Sequence, residues 1–152
     1  MYACDQHWWD IYATELKRDF AGELWTQDQK AAKLYGLTHI HGVSLPGLGR
    51  KEIHFGNNSG YQAINLAYLF GATKIILLGY DMKVEAGKIH FFGQHPYHKA
   101  GQGPDNEVMA RWRTNFVQLA QDLTDEGVEV INATRSTALR AFKTQPLEEI
   151  LC

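Results

Sequence analysis

Lys74-Ile75-Ile76-Leu77-Leu78-Gly79-Tyr80-Asp81 is the stretch on which the fold turns. Its aliphatic residues run without a break to a glycine, and a carboxylate follows two residues later. Continuous rather than alternating apolarity predicts a strand buried on both faces, as a parallel sheet covered by helices requires. Just upstream, Tyr61 to Phe70 carries Ile64, Ala67 and Tyr68 on one helical face, with Leu66 and Leu69 beside it. Ser59 is placed to cap that helix and Gly71 to end it. Before it, Lys51–Phe55 runs into Gly56-Asn57-Asn58-Ser59-Gly60. Strand, glycine-rich loop, helix and strand in that order predict a βαβ unit with a right-handed crossover.

The alternation continues in both directions. Tyr2-Ala3-Cys4-Asp5 reads as a short β-type run ending in a carboxylate. A helix from about His7 to Phe20 follows, with Trp8, Ile11, Tyr12, Leu16 and Phe20 at helical spacing. Trp8 is expected to pack inward and Trp9 to lie at a site edge or an interface. Leu24–Thr26 predicts a brief strand, Gln29–Tyr35 a short helix ended by Gly36, and Thr38 to Gly49 an irregular stretch. Lys83 to Gly103 is expected as a long loop, or a loop with a small hairpin. From Asp105 to Glu126 a long amphipathic helix places Val108, Trp112, Phe116, Leu119 and Leu123 on one face. Arg111 and Arg113 fall on its polar, solvated side. Gly127 stops it, Val128–Ile131 is a further strand, Asn132–Thr137 a polar turn, and Pro146 opens a last helical turn over Leu147–Leu151. The expected architecture is α/β: a Rossmann-like three-layer domain with a mostly parallel sheet, spanning 1–152 as a single domain.

Composition narrows the function classes. With 152 residues the chain can bury most of the surface it exposes when unfolded. A net charge of −2 gives no electrostatic footprint for a nucleic-acid polymer or an acidic membrane. Cys4 and Cys152, at opposite ends, form no disulfide framework and read as free thiols in a reducing compartment. No apolar run approaches the length of a membrane span, and no signal peptide is visible, so a cytoplasmic location is expected.

Ligands of open parallel sheets sit outside the carboxyl ends of the strands. Gly56, Asn57, Asn58, Ser59 and Gly60 form the first segment there. Their glycines and the following helix N-terminus suit a phosphate or carboxylate, although a plain turn with a helix cap has the same composition. Tyr80 and Asp81 form the second, the carboxylate suiting ribose or sugar hydroxyls, a metal, or a turn cap. His90-Phe91-Phe92-Gly93-Gln94-His95-Pro96-Tyr97-His98 is the third. Its histidine spacing and Pro96 do not suit two zinc ligands on one helix face, so His95 or His90 is a candidate base instead. His39 and His41 would share a face if extended and read as polar loop residues rather than metal ligands. Asp5, Asn132, Arg135 and Ser136 complete the candidate set, Arg135 as a phosphate clamp or a solvated cation.

Two blocks, Ser59-Gly60-Tyr61-Gln62-Ala63-Ile64-Asn65-Leu66-Ala67 through Gly71-Ala72-Thr73 to Asp81, and Gly127-Val128-Glu129-Val130-Ile131-Asn132-Ala133-Thr134 with Ser136 and Leu139, resemble a known superfamily. It joins the DUF115 / MptE-like proteins, of the 6-hydroxymethylpterin diphosphokinase type, to bacterial family-42 sialyltransferases. The His90–Pro96 segment looks most like bacteriophage members. The resemblance implies a Rossmann-like fold, a cytidine-nucleotide contact at Ser59 and Gly60, and His95 or His90 as general base. Asn132 and Ser136 match the segment after the last strand. Its pterin branch implies pyrophosphoryl transfer from ATP with Mg2+. Longer relatives place a βαβ unit with its own glycine-rich loop before the strand that begins here at Tyr2. The expectation is therefore either a fragment of the longer family fold or a form that keeps the ligand-binding half without the chemistry.

The function expected is capture of a nucleotide or phosphorylated small molecule, as in a phage-encoded sequestering protein, with a homo-oligomer able to complete the pocket. The alternative is a glycosyl or phosphoryl transferase using a nucleotide or sugar-nucleotide donor, with Asp81 orienting hydroxyls. Whether the chain is an enzyme is left open by the sequence.

Overall fold

The computed structural model describes residues 1–85, 87–89 and 103–151. Its elements are α1 (Gln6–Asp19), β1 (Trp25–Thr26), α2 (Gln29–Tyr35), β2 (Thr38–His39), β3 (Gly42–Val43) and β4 (Ile53–His54). They continue with α3 (Ser59–Leu69), β5 (Lys74–Leu77), α4 (Asn106–Asp125), β6 (Glu129–Asn132), β7 (Lys143–Thr144) and α5 (Leu147–Ile150). The fold is mixed helix and strand, and its sheets are short and parallel: β1 with β2, β3 with β4, and β5-β6-β7.

The segment expected to be irregular, Thr38 to Gly49, contributes two of these strands. Thr38 and Ile40 donate to the carbonyls of Leu24 and Thr26, whereas the carbonyls of His41 and Val43 accept from Ile53 and Phe55. Successive residues of an extended strand turn their backbone groups to opposite edges. The 38–43 segment therefore carries β1 on one edge and β4 on the other. Tyr2 adds a single parallel bridge beyond β1. No apolar run marks β2, β3 or β7, because two-residue strands with exposed or half-buried side chains leave no periodicity to read.

Two apolar clusters hold the fold. One packs Tyr61, Ile64, Ile75, Leu77, Phe116, Leu119, Leu123 and Leu139 between α3, α4 and the β5–β6 sheet. The other packs Trp9 and Ala13 of α1 onto Ala31 and Ala32 of α2. Here the expected helix face is corrected. Trp9 is the fully buried indole, Trp8 is half-buried against it, and Ile11 and Phe20 are exposed. The two alanines of α2 leave room for one indole, and Trp9 fills it with its Nε1 donating to the Ala3 carbonyl at 3.1 Å. Tyr2 ties the two halves together through its hydroxyl, which donates to the buried Gln62 of α3 at 2.5 Å.

Burial of β5 on both faces is also corrected. Ile75 and Leu77 are buried, but Ile76 is half-buried and Leu78 is 58% exposed. The apolar cluster beneath α3 and α4 takes up Ile75 and Leu77 only. Among the described residues no helix is long and apolar enough to cross a membrane.

Candidate ligand site at the strand ends

Asn58, not Ser59, caps α3. Gly56 (φ 54°) and Asn57 (φ 57°) both take left-handed backbone, which swings Asn58 into extended geometry. Its Oδ1 then accepts from the Tyr61 amide at 3.1 Å. Ser59 consequently begins the helix with an exposed side chain. The loop glycines serve packing within the protein. A Cβ on Gly56 would overlap the Tyr61 ring, and one on Gly60 would lie 2.8 Å from Cε1 of Tyr80. The Gly56 carbonyl is taken by Asn115 of α4 at 2.9 Å.

Tyr80 is the junction of the strand ends. Its hydroxyl donates to the Gly60 carbonyl at 3.0 Å, its amide donates to Thr134 Oγ1 at 2.9 Å, and its carbonyl accepts from Thr137 Oγ1 at 2.6 Å. The Ala138 amide adds a bond to the Asp81 carbonyl at 2.8 Å. Loops leaving β4, β5 and β6 are thus tied to one another through a single residue. Burial pushes the Tyr80 phenol up to about 12, so it acts as a donor across the ordinary pH range.

Asn132 is fully buried, and its amide is occupied within the same turn. Its Oδ1 accepts from the Thr134 amide at 3.1 Å, and its Nδ2 donates to Thr137 Oγ1 and the Leu139 carbonyl. Its place is beneath the rim, holding the 132–139 turn in shape. Asp81, Arg135 and Ser136 are exposed. Asp81 and Arg135 have no side-chain partner among the described residues. Asp5 precedes α1 next to Cys4, whose thiol is pushed up to about 12 by burial and by this carboxylate. Gln27 anchors the segment before α1 through the Cys4 carbonyl at 3.1 Å. His90 and His95 lie outside the described residues.

No protein-family model, curated protein or solved structure matches this chain. Function has to be read from the geometry itself. Among the described residues no three His, Cys, Asp or Glu side chains gather as a metal site. His39 and His41 instead face the Gln27 carbonyl and Glu52, respectively. A groove of about 390 Å³, lined by Ala120, Thr124, Val128, Val130 and Phe142, lies beside the start of β6, at the other end of that strand from the rim.

Three residues to which the sequence assigned no role at the site shape the rim. Lys83 donates to Ser136 Oγ at 2.8 Å, Arg113 donates to the Met82 carbonyl at 2.6 Å, and Thr137 braces Tyr80. Arg113 is therefore a clamp, not the solvated cation its helix position suggested. Spacing along α4 shows which face is polar but not which loop lies over it.

Proposed function

We propose that this chain, a Rossmann-like domain, binds a nucleotide or similar phosphorylated small molecule at the rim built around Tyr80. The observation that carries the reading is the three-way tie at that residue. It bonds the segments that carry the exposed Ser59, Asp81, Arg135 and Ser136 to one another, so their backbone is positioned before a ligand arrives. An exposed carboxylate suits ribose or sugar hydroxyls, and an exposed guanidinium suits a phosphate. A chain that binds without turning its ligand over needs nothing beyond these groups. Isothermal calorimetry against a panel of nucleoside mono-, di- and triphosphates and nucleotide sugars tests the proposal. Saturable binding by at least one phosphorylated member, and none by the matching nucleoside, is expected. No heat from any member at high micromolar concentration ends it.

A further inference from the structure

Lys83 lies between two clamps. On one side Met82, a non-glycine residue at φ 50°, has its carbonyl held by Arg113 of α4 at 2.6 Å. On the other the Val84 amide donates to Asn106 Oδ1 of the same helix at 2.8 Å. A left-handed non-glycine residue is strained and persists only where its surroundings enforce it. The kink turns Lys83 back onto the β6 end of the rim, where its ammonium donates to Ser136 Oγ at 2.8 Å. The second group on that ammonium is Glu85 Oε1 at 3.1 Å, from a side chain 68% exposed on the turn closed by the Glu85–Lys88 bridge.

We infer that Lys83 and Ser136, with the adjacent Arg135, form the anion subsite of the rim, and that the Glu85 carboxylate occupies it until a phosphate displaces it. The inference rests on the reading above and moves the phosphate away from the Gly56–Gly60 loop, whose glycines are committed to Tyr61 and Tyr80. A lysine ammonium and a serine hydroxyl in contact, with an exposed arginine next in sequence, offer the charge and donors that a phosphate or pyrophosphate takes up. A carboxylate already seated on the lysine shows that an oxyanion fits there, and its exposure makes it replaceable.

Inorganic pyrophosphate titrated into the 15N-labelled full chain is the test. Saturable amide shifts are expected at Lys83–Glu85 and Arg135–Ser136. Lys83→Gln should weaken binding at least tenfold, and Lys83→Arg should restore most of it. Glu85→Gln should tighten binding about two- to fivefold, the span expected for freeing a cation from an exposed ion pair. A purely structural Lys83–Glu85 pair would not move affinity in that direction. Shifts confined to Ser59–Tyr61, or affinity unchanged in Lys83→Gln, would overturn the subsite while leaving the rim standing. Pyrophosphate bound at Lys83 with every nucleotide rejected would do the reverse.

Discussion

Replacing Thr137 by valine keeps the side chain's shape and removes one hydroxyl on which three groups depend. That oxygen donates to the Tyr80 carbonyl at 2.6 Å and accepts from the Leu139 amide at 3.0 Å and from Asn132 Nδ2 at 3.2 Å. Leu139 and Asn132 are wholly buried, so water cannot take over there. Among the described residues the Leu139 amide has no other partner, whereas Asn132 Nδ2 keeps the Leu139 carbonyl at 3.4 Å. An orphaned buried group costs about 1–3 kcal/mol, and the half-buried Tyr80 carbonyl adds a smaller loss, so Thr137→Val should cost about 2–4 kcal/mol. For a chain of this length that lowers Tm by roughly 4–16 °C. Urea unfolding followed by far-ultraviolet circular dichroism reads it directly, as a fall in midpoint at constant slope. A loss below about 0.5 kcal/mol would refute the claim that this hydroxyl holds the rim.

Tyr80→Phe deletes only the bond to the Gly60 carbonyl and should cost about 0.5–1.5 kcal/mol in the same assay. Gly79 sits at φ 74° with open space where a Cβ would go, so Gly79→Ala should cost about 1–2 kcal/mol from backbone strain alone, read as a shift in urea midpoint. Burial raises Tyr61 and Tyr80 to about 12, and burial with Asp5 raises Cys4 to about 12. The folded state favours their neutral forms, so the stability they contribute is whole below the unfolded values, about 8.5 for the thiol and about 10 for the phenols, and is lost as pH climbs toward 12. Tm should therefore decline above about pH 9. These two phenols should ionise at 295 nm only as the chain unfolds, and an intact fold with every tyrosine titrating near 10 would contradict this.

The elements that sequence pattern brought out are those with long apolar stripes. The spacing from Phe116 to Leu123 marks α4, and Lys74 to Leu77 marks β5, because both bury a regular face in the main core. Trp8 and Trp9 show where pattern stops short. Adjacent indoles fit a helical stripe in either phase, and only the alanines of α2, met in three dimensions, choose Trp9. The rim divides in the same way. Ser59, Asp81 and Ser136 are visible as polar residues following strands or opening a helix. Thr137 and Lys83 act through bonds to residues more than fifty positions away, at Tyr80 and Ser136, and no local spacing encodes those. Asn132 shows the opposite: a polar residue at a strand end whose hydrogen bonds are all turned inward.

Amide shift mapping with a phosphorylated nucleotide that binds is the most direct measurement of whether the strand ends act as one site. Shifts should appear together, with a single dissociation constant, at Ser59–Gly60, Gly79–Lys83 and Thr134–Ser136. Shifts limited to one of these loops, or gathered instead along the groove beside Val128 and Phe142, would contradict a shared rim around Tyr80.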